Sequence, residues 1–164
     1  MNTEIERKYL ILRPKLEDIE EYLVDIWQII QTYLNSKPDE ERRVRRKVIN
    51  NGKEKFVYTV KRKITDITRE ENEFQISSKE YRKLLEEQDT DLKPIKKIRY
   101  RFNYNGQLFE MDFYSFSTDF ATLEIELDSE DTEIVLPPFI KFVKEVTTDK
   151  KYKNKYLAKS QTLN

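Results

Sequence analysis

The sequence predicts a mainly β domain of the α+β class: an eight-stranded antiparallel barrel that closes on itself, with helices packed outside. Of eight segments that look extended, seven alternate between charged and apolar residues, as strands do when their two faces differ. Two Asn-Gly pairs mark tight hairpins, and few segments have helical spacing. Closing eight antiparallel strands joined by short turns removes the exposed sheet edges.

Composition limits the class of protein. The 164 residues predict one domain over residues 1–164, with a tail that frays from about residue 159. Lys+Arg and Asp+Glu both number 31, and this balance argues against a nucleic-acid binder. No apolar run is long enough to cross a bilayer or to form a signal peptide, so we expect a cytoplasmic protein without a membrane partner.

Missing residue types also narrow the chemistry. The sequence has no cysteine and no histidine, which excludes disulfides, thiolate or histidine metal sites and histidine-assisted nucleophiles. It has two glycines, far apart, so no glycine-rich phosphate loop can form. Any phosphate must therefore be bound by side chains.

The elements follow in order along the chain. Alternating patterns predict strands over 3–13, 41–50, 53–64, 69–76, 96–104, 107–116 and 120–128, and residues 26–35 also look extended. Asn51-Gly52 and Asn105-Gly106 each join two of these strands in a hairpin. Helical spacing predicts helices over 14–25, 139–146 and part of 149–164, and Ser77 with Glu80 forms a capping box that starts another helix.

Seven of the eight predicted strands have one charged and one apolar face. The charged faces carry Glu4, Glu6 and Lys8; Arg43, Arg45 and Lys47; Lys61 and Lys63; Glu71 and Glu73; Lys97, Arg99 and Arg101; Glu110 and Asp112; Glu124, Glu126 and Asp128. On a single strand, such a face usually points to solvent. Here whole faces carry one sign, which is unfavourable without an opposite charge nearby. Cross-strand ion pairs would compensate this repulsion between like charges. A charged lumen that binds an anion and divalent cations would compensate it as well.

Glu4-Ile5-Glu6-Arg7-Lys8 forms a Glu-x-Glu-x-Lys motif near the start of the sequence. In this motif the sequence resembles the CYTH, or triphosphate tunnel metalloenzyme, superfamily, of which it is a signature. Similar segments follow over nearly the whole chain: "QTYL", "RRVRRK", "YTVKRK", "REENEFQI", "KKIRYR", "MDFYS", "LEIEL", "KEVTTD" and "YKNKYLA".

The resemblance implies roles for the charged residues. Phosphate-binding residues would be Lys8, Arg43, Arg45, Lys61, Lys97 and Arg99, and ligands of Mg²⁺ or Mn²⁺ would be Glu4, Glu6, Asp112, Glu124 and Glu126. Catalysis would depend on Glu4, Glu6, Lys8 and Lys97. Further candidates with the same spacing are Glu71, Glu73, Lys63, Arg101 and Glu110. Gln75 stands where the family pattern often has another acid.

The resemblance implies metal-dependent chemistry on a triphosphate. Among the activities of the family we favour cleavage of tripolyphosphate to pyrophosphate and phosphate, because the sequence is about the size of one minimal barrel. Hydrolysis of ATP or thiamine triphosphate, an adenylate cyclase, and a non-catalytic polyphosphate-binding protein stay open as alternatives. No aromatic cluster can be assigned to the lumen as a base-stacking surface. The basic segment "KKYKNKYLA" either closes one end of the barrel or is a solvated amphipathic helix, and the sequence does not indicate the oligomeric state.

Overall fold

Eight antiparallel strands close into a barrel in the computed structural model, which describes residues 2–164. The strands are β1 (Asn2–Leu12), β2 (Leu23–Leu34), β3 (Glu40–Ile49), β4 (Glu54–Lys63), β5 (Thr68–Ile76), β6 (Ile95–Tyr104), β7 (Gln107–Tyr114), β8 (Phe120–Glu126) and β9 (Phe142–Glu145). They form one sheet in the order β5-β4-β3-β2-β6-β7-β8-β1-β9, and β5 also pairs with β1. The first eight strands thus form the closed barrel that the sequence predicts.

β1 closes the barrel because it pairs with three strands. Its first residues, Asn2–Ile5, pair with β5, and Glu6–Leu12 pair with β8. Where β1 extends past β5, the short strand β9 pairs with Tyr9, Leu10 and Ile11. This pairing covers an edge that would otherwise present free backbone donors and acceptors.

β9 corrects one prediction. Residues 139–146 were expected to be helical, but Phe142–Glu145 are a strand whose partner is β1. Phe142 packs edge-on against Tyr9, with ring centroids 5.4 Å apart. The pattern of this short segment fits a helix or a strand, and the tertiary pairing decides between them.

The helices are short and lie outside the strands. They are α1 (Leu16–Ile19), α2 (Ser78–Leu84) and α3 (Asn154–Ser160), with 3-10 turns at Glu20–Tyr22, Leu85–Glu87 and Lys150–Tyr152. The helix predicted over 14–25 is cut short because the chain pairs with β6 from Leu23 onward. α2 begins as predicted, with both hydrogen bonds of the capping box between Ser77 and Glu80.

Both predicted hairpins are present. Asn105 and Gly106 have φ values of 50° and 75° in the turn between β6 and β7. In the turn between β3 and β4 the positive φ values belong to Asn50 and Asn51, one residue earlier than Asn51-Gly52. Asparagine tolerates this conformation better than most residues, so the turn can form at either position.

Apolar residues pack mainly on the outside of the barrel. The largest cluster covers β1 and β6–β8 under α1 and the loop before β9, and it includes Phe102, Phe109, Met111, Leu123 and Ile125. A smaller cluster joins α2 to β3, β4 and β5 through Tyr81 and Val44. Burying the apolar faces outside leaves the charged faces directed inward.

The end of the chain is packed, although the sequence predicts that it frays from about residue 159. Leu163 is buried with Leu157 and Ala158 of α3, and the Tyr152 hydroxyl donates a hydrogen bond to the Asn164 carbonyl. No helix within residues 2–164 combines the length and the apolar character needed to cross a membrane.

The capping box of α2 gives a stability prediction. Ser77→Ala removes the hydroxyl that accepts a hydrogen bond from the Glu80 backbone, so it should lower the free energy of unfolding by about 1 kcal/mol. Urea unfolding followed by circular dichroism measures the change. Ser78→Ala, one residue further on and also exposed, is the matched control and should have little effect. Equal losses in the two variants would contradict the capping role.

Candidate active site

The charged face of each barrel strand points into the lumen. Lys8, Glu124, Glu110, Arg101 and Asp25 lie opposite one another across five consecutive strands, and so share one face of the sheet. Nine charged residues of this face are less than 9% exposed: Glu4, Lys8, Arg43, Arg45, Lys47, Lys97, Arg99, Asp112 and Glu124. The structure therefore brings most of the predicted site residues into one enclosed space.

Other predicted residues lie nearer the ends of the lumen. Half-buried positions are occupied by Glu6, Lys61, Glu71, Arg101 and Glu110, and exposed positions by Lys63, Glu73 and Glu126. Lys63 pairs with Asp66 outside the central cluster, with an Nζ–Oδ1 distance of 3.2 Å. Gln75 is also exposed.

Asp112 is the centre of the buried ion pairs. It accepts hydrogen bonds from Lys97 Nζ at 2.8 Å and from Arg99 Nε and Nη2 at 2.7 and 3.0 Å. Burial alone would raise the pKa of this carboxyl, but Arg99 and Lys97 outweigh burial and hold the pKa far below its usual range. Asp112 is therefore ionised and fully engaged, and in this arrangement it orients two cations.

The cations of β3 are less well compensated. Arg45 is 3.4 Å from Glu73, which is exposed, and Arg43 is 4.0 Å from Glu41. The Nε atoms of Arg43 and Arg45 are buried and have no hydrogen-bond partner within residues 2–164. Burial, together with the charges of Arg43 and Arg99, lowers the pKa of Arg45 to about 10. Buried donors of this kind are costly unless an acceptor reaches them, so this wall of the lumen suits an anion.

Carboxylates gather at one end of the lumen, which we call the hairpin mouth because the β3–β4 and β6–β7 turns surround it. Glu126 lies there, and partial burial together with Glu4, Glu71, Glu110 and Glu6 raises its pKa to about 7. Two carboxylates further in are held by lysines: Glu4 by Lys61 at 3.0 Å and Glu124 by Lys8 at 3.3 Å. Within residues 2–164, no three carboxylates converge closely enough to bind one metal ion in these side-chain positions.

Comparison with known proteins identifies the family. A model of the CYTH domain matches residues 2–160. The chain belongs to the CYTH domain family.

Three relatives illustrate the similarity. An inorganic triphosphatase of Nitrosomonas europaea is 36% identical over 96% of this chain and 98% of its own length. An inorganic triphosphatase of Acetivibrio thermocellus is 34% identical over 74% of this chain and 75% of its own length. The crystal structure of the inorganic triphosphatase NE1496 superposes with a TM-score of 0.60 at 32% identity, covering 97% of this chain and 96% of that one.

β2 contributes lumen residues that were missed in the sequence. Trp27, Gln31 and Tyr33 lie opposite Arg99, Arg45 and Arg43 respectively, so their side chains share the charged face of the CYTH barrel. The sequence assigns no aromatic cluster to the lumen, whereas the structure places Trp27 and Tyr33 there. β2 has apolar residues on both faces, which hides its alternation; "QTYL" was the one signal that could have pointed to Gln31 and Tyr33.

The C-terminal segment packs at the other end of the CYTH barrel, the C-terminal mouth, where Lys153 and Asn154 lie. Lys8 Nζ donates to the Tyr152 carbonyl at 2.6 Å, and the Tyr114 hydroxyl donates to Asn154 at 2.6 Å. Burial and the cations Arg69, Lys8 and Lys63 lower the pKa of Lys153 to about 8, while Glu6 opposes them. Of the two interpretations left open by the sequence, packing at one end of the barrel agrees with the structure.

Glu126 gives a pH-dependent prediction. Its folded-state pKa of about 7 is above the ordinary value of 4.5, so folding favours the protonated carboxyl. The associated stability is present below about pH 4.5 and is lost as the pH rises through 7. Glu126→Gln should therefore stabilise the metal-free protein at pH 8 and should have little effect at pH 4. The gain at pH 8 should be about 1 kcal/mol or less, because Glu126 is exposed to solvent at the hairpin mouth.

Thermal unfolding in EDTA at both pH values measures this difference. Glu133→Gln, at an exposed position in the loop after β8, is the control and should change the melting temperature little at either pH. An equal shift for Glu126→Gln at pH 4 and pH 8 would show that carboxylate repulsion is not the cause.

Proposed function

We propose that this protein is an inorganic triphosphatase that cleaves tripolyphosphate to pyrophosphate and phosphate with the help of a divalent cation. The observation that carries the proposal is the set of buried, incompletely paired guanidinium groups on β3, within a lumen that also carries carboxylates. The relatives that match most of the chain are inorganic triphosphatases, which supports the same activity.

Substrate binding is assigned to the cationic wall of the lumen. The buried Nε atoms of Arg43 and Arg45 can donate hydrogen bonds to phosphate oxygens. Such charge-assisted hydrogen bonds are stronger than hydrogen bonds between neutral groups. Lys97 and Arg99, oriented by Asp112, supply two more positive charges. These four residues would bind the phosphate chain and offset its charge.

The carboxylates that line the lumen fit a hard divalent cation such as Mg²⁺ or Mn²⁺. Their oxygen donors are the type that these ions prefer. Burial, followed by neighbouring carboxylates, raises the pKa values of Glu4 and Glu126, and a bound cation would offset the repulsion among these carboxylates. Glu4, Glu6 and Glu126 would hold the ion, with Glu124 nearby. When bound, it would neutralise phosphate oxygens. Lys61 and Lys8 would then exchange their carboxylate partners for phosphate.

The reaction is a displacement at the terminal phosphorus. Water forms a new phosphorus–oxygen bond, the bridging bond breaks, and pyrophosphate leaves with the bonding electrons while the water loses a proton. Negative charge builds up on the leaving pyrophosphate, and the buried cations Arg45, Lys97 and Arg99 are placed to stabilise it. Since water is held away from these groups, their charges are weakly screened.

An inorganic substrate suits the lumen better than a nucleotide. Trp27 is an aromatic residue in the lumen, but its ring is already in contact with cations: Lys47 Nζ is 4.4 Å and the Arg101 guanidinium carbon 4.7 Å from its centroid. A nucleobase would have to displace one of them in order to stack. Binding free energy is therefore expected to come from phosphate groups and metal.

A substrate panel tests the proposal. Tripolyphosphate should be hydrolysed with Mg²⁺ or Mn²⁺ and not in EDTA, with a higher kcat/KM than ATP or thiamine triphosphate. Pyrophosphate should be a poor substrate because it is too short to reach both metal and distant cations. Phosphate release and cyclic AMP are measured. Tight tripolyphosphate binding without hydrolysis would indicate a polyphosphate-binding protein, and a preference for ATP or thiamine triphosphate would contradict the substrate assignment.

Glu6 tests the metal site. Glu6→Gln keeps the shape of the side chain and removes its charge, so kcat/KM with Mg²⁺ should fall about 100-fold, equivalent to about 3 kcal/mol of transition-state stabilisation. Raising the Mg²⁺ concentration should recover part of the loss. The control is Glu70→Gln, on the neighbouring strand β5 but on the outer face, which should keep its activity. Wild-type turnover by Glu6→Gln would contradict the assignment.

A further inference from the structure

Lys47 is a buried cation that the binding scheme above does not use. It lies on β3 two residues beyond Arg45, about 7 Å further towards the hairpin mouth, and is 8% exposed. Within residues 2–164 its ammonium group makes no ion pair and no hydrogen bond; its one close partner is the Trp27 ring, at 4.4 Å. Isolated buried ammonium groups are unfavourable, so a purely structural role would be better served by an apolar side chain.

The surroundings of Lys47 are mainly positive. Burial and the cations Arg45, Arg99 and Lys55 lower its pKa to about 8, against the opposing charge of Glu73. Lys47 is therefore a surplus positive charge that faces the lumen. An anion in the lumen would relieve the repulsion among these groups.

Trp27 holds the cations of this region in place. Lys47 reaches its ring from β3, and Arg101 and Arg99 reach it from β6, at 4.4, 4.7 and 5.9 Å from the centroid. The two strands flank β2 on opposite sides, so the indole lies between cations that would otherwise repel one another. The negative face of the ring attracts an ammonium or guanidinium without neutralising its charge. Lys47 therefore remains available to an anion.

We propose that Lys47, positioned by the ring of Trp27, forms a further oxyanion subsite between Arg45 and the hairpin mouth. The ligand class is a phosphoryl group of a linear inorganic phosphate, and this assignment rests on the proposed triphosphatase function. Lys47 contacts the phosphate oxygens directly, whereas Trp27 is a positioning residue that acts through Lys47. The subsite lengthens the row of cations along β3 from Arg43 and Arg45 to Lys47.

Binding of tripolyphosphate in EDTA, followed by isothermal titration calorimetry, tests the subsite without relying on catalysis. Lys47→Gln should weaken binding about tenfold, and Lys47→Arg should recover most of that loss. Lys53→Gln removes the same charge from an exposed position in the adjacent hairpin and should bind like the wild type. Because Lys47 lacks a counter-ion, Lys47→Gln should melt at the same or a higher temperature, which separates lost binding from misfolding.

Trp27→Leu tests the positioning role. It should weaken binding about as much as Lys47→Gln, and the double variant should bind no more weakly than either single variant, because both changes remove the same contact. Trp27→Phe keeps an aromatic face and should recover part of the affinity. Trp27 is the single tryptophan, so its emission in the wild type should change on addition of tripolyphosphate as Lys47 shifts from the ring to the anion.

Wild-type affinity in Lys47→Gln, additive losses in the double variant, or no binding by the wild-type protein would overturn the subsite. A protein that binds tripolyphosphate with this dependence on Lys47 but does not hydrolyse it would refute the triphosphatase and leave the subsite standing. Full hydrolysis with no dependence of binding on Lys47 would refute the subsite and leave the triphosphatase standing.

Discussion

The pairing of Asp112 with Lys97 and Arg99 is the contact on which the charge balance of the lumen depends. A barrel that turns so many ionised side chains inward cannot leave all of them unpaired, since each buried charge without a partner costs several kcal/mol. Both carboxylate oxygens of Asp112 accept hydrogen bonds from Lys97 and Arg99 of β6. Asp112 thereby offsets one of these two positive charges and orients both groups, and the other positive charge is left to act on a ligand.

The remaining charges are divided between two sides of the barrel. β3 keeps Arg43, Arg45 and Lys47 with weak or absent compensation, while β1 and β8 present carboxylates towards the hairpin mouth. A ligand that is strongly negative and accompanied by a divalent cation complements both sides together. A simple anion would satisfy only the basic wall. The separation of signs between strands is thus a structural reason to connect phosphate binding with metal binding.

The strands and their inward charges could be predicted from the sequence because alternation with period two survives in most of them. The capping box of Ser77 and both hairpins follow from local chemistry and were likewise predictable. β9 was not, since a segment of four residues becomes a strand only through its partner β1. Trp27 was missed because β2 carries apolar residues on both faces. Which carboxylate pairs with which cation depends on side-chain positions in three dimensions, so the engagement of Asp112 could not be foreseen. A cytoplasmic location stays a prediction.

The position of β1 has a consequence for how the protein is made. β1 is synthesised more than a hundred residues before its partners β8 and β9, and the backbone carbonyl of Lys8 accepts a hydrogen bond from the amide of Val146 at 2.8 Å. Since synthesis adds about 5–20 residues per second, several seconds or longer pass between the synthesis of β1 and that of these partners. Such non-local contacts also slow the final assembly. During that interval Asn2–Ile5 can pair with β5, but Glu6–Leu12 lack their partner strand, and the barrel closes only after β8 has been synthesised.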